Sequence, residues 1–209
     1  MTWFDLTRRL DDELICWPGR QAPILHWRKR LEEGQHCNES IWSLSAHTGT
    51  HIEAPKHFLT GGRSIDQVSV DTLTGPCELV DISMRSSQTL TAEEAEALRG
   101  RIRLLIKTGF GEEGHFSDHP ALLAPEAANL LVESGLALIG TDRLSVDDST
   151  MPDFTLHCLL LSAGCVIVEG LDLSQVAEGS YELCALPIPF VGAEASPARV
   201  LIRSSCDHM

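Results

Sequence analysis

The sequence has no excess of positive charge. Its 16 lysines and arginines are outnumbered by 30 aspartates and glutamates. Phosphate backbones are bound by clustered Lys and Arg, so a nucleic-acid partner is not expected. The densest basic stretch, Arg28-Lys29-Arg30, is followed at once by Glu32-Glu33 and reads as a solvated face. No run approaches the roughly eighteen apolar residues of a helical membrane span. The opening residues, MTWFDLTRRLDDELICW, show neither a continuous apolar segment nor a small-residue cleavage site. The seven cysteines form no CxxC pair and read as small core residues in a reducing cytoplasm. There is no GxSxG, so a serine hydrolase is disfavoured, and no HxH, so a cupin-type dioxygenase is too. No internal repeat or long linker divides the chain, and residues 1–209 read as one domain.

What remains alternates between strand and helix signals. ESIWSLSAH (39–47) alternates in the manner of a strand with one wetter face, and CELVDIS (77–83) and RIRLLIKTG (101–109) read as further strands. Thr91-Ala92-Glu93-Glu94 is a capping box, opening a helix that Gly100 closes. A second helix starts at Pro125 and runs to Gly135, followed by the short strand LALIG (136–140). A third helix is expected from near Pro152 to Gly164, then the strand CVIVEG, with YELCALPIPF and ARVLIRSS as the last strands. The class is α/β with a mixed sheet.

Coordinating chemistry concentrates in HTGTHIEAPKHF, residues 47–58. His47 and His51 are four apart, but Thr48, Gly49 and Thr50 between them are poor helix formers, and Pro55 lies just beyond. In extended chain, His47, His51, Glu53 and His57 all start on one side. A straight strand would set the first two about 13 Å apart at about 3.3 Å per residue. Metal–ligand bonds of about 2 Å cannot span that distance, so the chain must bend. Gly49 makes the bend cheap and Pro55 fixes the exit. Three imidazoles and a carboxylate, without a thiolate, point to a divalent metal such as zinc, manganese or iron(II) and away from a closed structural zinc site.

A second pair lies far along the chain. His157 falls within an expected helix that is apolar nearly all round and therefore buried. A buried neutral imidazole needs a hydrogen-bond partner or a metal, and Glu169, at the end of the following strand, is its natural companion.

These residues together resemble the metal-dependent cyclase/hydrolase family that includes bacterial-type kynurenine formamidase and isatin hydrolase. The family's HxGTHxDxPxH signature reads here from His47 to His57. Asp5-Leu6-Thr7, Trp17-Pro18-Gly19, Gly140-Thr141-Asp142 with Ser145-Val146-Asp147, Tyr181-Glu182-Leu183 and Ser196-Pro197-Ala198-Arg199 extend the likeness over almost the whole chain. The resemblance implies a swivelling β/β/α-type fold and a homodimer or higher oligomer, with sites near subunit contacts. It implies that His47, His51 and Glu53 hold one metal ion, zinc or manganese, and that in two-metal members His157 and Glu169 hold a second bridged by the carboxylate at 53. His57 matches the family's acid/base histidine.

Glu53 stands where the family has Asp. Ligand distances tolerate only about 0.2 Å, so either the backbone retreats to offset the extra methylene or the bridge becomes one-sided. The implied activity is hydrolysis of an amide on a small molecule, an aryl formamide such as N-formylkynurenine, by metal-activated water. Trp17, Trp27 and Trp42 are candidates for an aromatic wall. Arg20-Gln21-Ala22-Pro23 departs from the acidic and aromatic residues that formamidases carry there, which keeps an isatin-like lactam or a lactone in view. A metal-binding relative without activity is a further alternative, with Glu53 as its mark.

Overall fold

The computed structural model describes residues 2–111 and 115–204. Ten strands form in chain order: β1 (Trp3–Asp5), β2 (Ile24–Lys29), β3 (Glu39–Ser43), β4 (His51–Glu53), β5 (Thr74–Asp81), β6 (Arg103–Lys107), β7 (Leu138–Thr141), β8 (Val166–Glu169), β9 (Gly179–Pro187) and β10 (Ala195–Ser204). The helices are α1 (Val70–Leu73), α2 (Ala92–Glu96), α3 (Pro125–Glu133) and α4 (Thr155–Ser162). The sheet runs β1-β10-β4-β8-β7-β6-β5-β9, and β9 pairs back onto β10. Seven strands therefore close into a barrel, with β1 appended to β10. The β5 to β8 pairs are parallel and the other pairs antiparallel, so the expected mixed α/β sheet is present and closed on itself. Among the described residues, no helix is long and apolar enough to cross a membrane.

Strand periodicity divides the apolar residues into two cores. Leu79, Leu105, Leu138, Val166 and Val168 point into the barrel with Ile52, Leu183 and Val200. Their neighbours Val80, Leu104, Ile106, Ile139 and Ile167 point outward beneath the helices, against residues such as Ala128, Leu131 and Leu160. The functional residues belong to the outer face. Ile52 fills the barrel, so His51 and Glu53 on either side of it turn toward the helix layer.

Local signals in the sequence account for the starts of α2 and α3, although α2 ends at Glu96 and gives way to turns before the expected stop at Gly100. Thr91 Oγ1 accepts from the Glu94 N–H at 3.4 Å, and the Thr91 N–H donates back to Glu94 Oε2 at 2.8 Å, which completes the capping box. Pro125 opens α3 as expected. The third helix starts later than its sequence indicates, at Thr155, because a distant side chain caps it. Asp147 accepts from the Leu156 N–H at 2.6 Å and the His157 N–H at 3.2 Å, and Phe154 is turned to φ 46° ahead of them. The strand expected over 39–47 stops at Ser43, and the next residues turn toward the 47–58 stretch. Ser205, the last residue of the expected ARVLIRSS strand, lies outside the described residues.

One close approach fixes the end of β8. Gly170 has φ +68°, and a Cβ there would lie 2.5 Å from the Gly49 carbonyl oxygen. The Thr50 hydroxyl donates to the Gly170 carbonyl at 2.6 Å, tying the same two turns together. Gly170→Ala is expected to lower stability by about 3 kcal/mol, from left-handed strain plus the backbone clash, as read by denaturant unfolding of the metal-free protein.

Candidate metal centre

The site is assembled by one short ladder. β4 pairs antiparallel with β8 so that His51 faces Glu169 and Glu53 faces Ile167. Gly49, at φ +63°, makes the bend that returns His47 to the same place. Pro55 then opens a single 3-10 turn over Pro55–His57 that swings His57 inward. The 47–58 stretch is thus a turn, a three-residue strand and a second turn, with the bend at Gly49 and the exit at Pro55 that the sequence indicated. From the other side, α4 lays His157 over the end of β8.

Two groups of side chains bring donor atoms within 4.8 Å of one another: His47, His51 and Glu53, and Glu53, His157 and Glu169. Glu53 belongs to both. Its Oε1 lies 2.8 Å from His47 Nδ1, 3.5 Å from His51 Nε2 and 3.3 Å from His57 Nε2. Its Oε2 lies 3.1 Å from His157 Nε2. One oxygen of Glu53 therefore faces each group. Glu169 spans the other edge, 3.6 Å from His51 Nε2 and 3.3 Å from His157 Nε2.

Backbone and side-chain acceptors orient these imidazoles. His51 Nδ1–H donates to the Gly49 carbonyl at 2.9 Å, which leaves its Nε2 lone pair pointing inward. His157 Nδ1–H donates to Asp147 at 2.5 Å and so presents Nε2 to the two glutamates. His47 bridges Glu53 and Glu194, its Nε2 lying 3.2 Å from Glu194 Oε1. Asp147 and Glu194 are the residues that motif reading passed over. Asp147 belongs to the central Ser145-Val146-Asp147 stretch, and its position just ahead of the His157 helix is the available signal. Nothing in the local sequence marks Glu194.

The buried polar atoms left without a hydrogen-bond partner include His51 Nε2 and Glu53 Oε2, which face the interior of the site. Such atoms cost free energy unless something pairs with them, and a divalent cation meets that need for an imidazole and a carboxylate at once. The residues present therefore fit a divalent metal.

Burial and neighbouring charge set the protonation of the metal-free cluster. Burial pushes Glu53 up, but the close imidazoles of His157, His47 and His51 outweigh it and hold the carboxyl well below its ordinary value. Glu169 is raised, by burial and then by the charge of Glu53. Burial lowers His157, yet Asp147, Glu169 and Glu53 together push it up to about 12. His57 moves the opposite way, pushed down to about 4 chiefly by burial, and is neutral at neutral pH.

The cavity in front of these residues is walled by Phe58, Phe154 and Trp17, with Arg20 and Gln21 at its lip. Phe58 and Phe154 lie 5.2 Å apart, and the Phe58 ring packs 4.9 Å from that of His157. Of the three tryptophans considered for this wall, Trp17 alone lines it. Trp27 and Trp42 stand on the β2–β3 ribbon, each 44% exposed, on neither the cavity nor the core.

Comparison with known proteins agrees with this geometry. A family model described as "Putative cyclase" matches residues 4–148. A kynurenine formamidase of Salinibacter ruber is 34% identical over 99% of this chain and 100% of its own. A Bacillus stearothermophilus structure described as a predicted metal-dependent hydrolase superposes with a TM-score of 0.82 at 30% identity, covering 96% of this chain and 97% of that one. Isatin hydrolase A from Labrenzia aggregata gives a TM-score of 0.80 at 26% identity, over 96% and 93% of the two chains.

His157 carries its Nε2 proton in the metal-free state because carboxylates surround it, so a cation entering that half must displace the proton. Apparent metal affinity is expected to rise with pH through the neutral range, with proton release measurable by calorimetry in buffers of different ionisation enthalpy. Asp147→Asn removes the charge that orients His157 and is expected to weaken metal binding about 10- to 100-fold in a chelator competition.

Proposed function

The chain belongs to the cyclase family and is a metal-dependent amide hydrolase, and from that premise we propose that it removes the formyl group of an aryl formamide, N-formylkynurenine. Glu53 carries the proposal, since it is the side chain common to two donor groups, each of which would hold a divalent ion. His47, His51 and Glu53 would hold one ion, and Glu53, His157 and Glu169 the other. Imidazole and carboxylate donors suit zinc or manganese. When bound, such an ion supplies a Lewis acid that makes water nucleophilic near neutral pH and polarises the carbonyl.

The chain's own residues handle position and protons. Phe58 and Phe154 flank the cavity and receive the aromatic ring, which sets the formyl carbon over the Glu53 end. His57, held neutral by its burial, accepts a proton from the attacking water. It delivers that proton to the departing nitrogen as the C–N bond breaks, leaving formate and the free arylamine. Exclusion of bulk water by the aromatic wall strengthens each of these contacts.

The 209 residues are taken as one domain, working in the cytoplasm as a homodimer or tetramer. Six cysteines are free of disulfides among the described residues, which suits a reducing compartment. Leu25, Trp27 and Trp42 share an uncovered face of the β2–β3 ribbon, which suits a subunit contact. A lactam of the isatin type is the second reading, favoured by the likeness to isatin hydrolase and by the aromatic wall that Phe58 and Phe154 form beside the site.

Metal-stripped protein is expected to be inactive on N-formylkynurenine and to regain turnover with zinc or manganese. Metal bound without turnover would move the substrate to a lactam or lactone. His57→Ala should lower kcat at least about 100-fold while the metal content, measured by elemental analysis, is unchanged. Loss of metal in that variant would instead make His57 a ligand.

A further inference from the structure

We infer that Arg20 is a specificity-determining residue, selecting substrates that carry a carboxylate on the side chain remote from the scissile amide. The inference rests on the amide-hydrolase reading above and adds to it the chemistry of the substrate's far end.

Trp17-Pro18-Gly19-Arg20 is a tight turn whose ends are tied by the Arg20 N–H donating to the Trp17 carbonyl at 3.0 Å. Gly19 has φ +81°, the value a type II turn requires after a proline. The turn sets Trp17 and Arg20 side by side. Trp17 is itself held edge-on to Phe116 at 5.4 Å, so the turn has a fixed inner end. Trp17 lines the cavity wall and Arg20 its lip, where Arg20 and Gln21 also line an adjoining outer cavity with Ser45.

Charge singles out Arg20. Among the described residues it is the only lysine or arginine lining the metal-site cavity, and its side chain is exposed with no carboxylate paired to it. The carboxylates in that wall, Glu53 and Glu169, are both engaged with histidines at the deep end. In a chain of net charge -14, an unpaired guanidinium at the mouth is a local reversal of sign that draws an anion. It also orients the substrate. A carboxylate is a good metal ligand, so an anionic substrate entering the wrong way round would seat its tail where the carbonyl belongs. A guanidinium fork at the lip holds the tail outward by paired hydrogen bonds.

The test compares N-formylkynurenine with its carboxamide, which lacks the anion, on the metal-loaded enzyme. Wild-type KM should be about tenfold lower for the acid, the ratio should fall to about one in Arg20→Gln, and Arg20→Lys, which keeps the charge but not the fork, should retain only part of it. A merely structural role would raise both KM values together. A second measurement needs no turnover: calorimetric Kd values of 4-oxo-4-phenylbutanoate and its amide for the same proteins. If neither formamide is cleaved but the acid preference in Kd disappears in Arg20→Gln, the formamidase reading fails and the role of Arg20 stands. Acid preference that is absent in the wild type, or that survives in Arg20→Gln, overturns the inference and assigns the carboxylate elsewhere.

Discussion

The pairing of three residues of β4 with three of β8 is the constraint on which the site depends. It sets His51 opposite Glu169 and, because side chains alternate across a strand, turns His51 and Glu53 away from the barrel that Ile52 fills. The neighbouring turns serve this register. Gly49 bends so that His47 rejoins the group, Gly170 lets β8 end against that bend, and Thr50 ties the two. The histidine on α4 needs no register of its own. It is aimed by Asp147, which caps the helix through two backbone N–H groups and orients the imidazole with the same carboxylate.

This arrangement is electrostatically costly without a cation. Glu53 and Glu169 are both buried and both acidic, and the imidazolium of His157 is the charge nearest to balancing them. Isolated buried charges are strongly disfavoured, so a cluster of this kind persists only where the surrounding fold is rigid enough to hold it. The closed barrel supplies that rigidity, since closure leaves neither side of its wall free to drift. His57 lies at the rim of the cluster, where burial outweighs the pull of Glu53 and keeps the imidazole neutral.

The fold class and most of the site could be read in the sequence because the signals there are local. Alternation marked β3, short apolar runs marked β5 to β10, a capping box marked α2, and a proline marked α3. The 47–57 motif concentrates four of the six candidate site residues within eleven positions. Signals that depend on tertiary contact were not legible. β4 is three residues long, too short to show a period, and exists because β8 and β10 flank it. The start of α4 was misplaced because its cap comes from Asp147 rather than from the preceding residue. The tryptophans of the β2–β3 ribbon carry the same composition as core tryptophans and lie on neither core nor cavity.

The alternation along β4 also limits how this centre can change in descent. Inserting or deleting one residue between Gly49 and Pro55 would exchange the two faces, sending the ligands into an apolar barrel and Ile52 out among the carboxylates. Intermediate states of that kind neither fold well nor bind, so the ligand positions cannot migrate along the strand by small steps. What remains variable is the length and type of side chain at a fixed position, and Glu53 in place of aspartate is a change of that permitted kind. Related chains should therefore differ in which residue stands at each of these places far more readily than in where the places are.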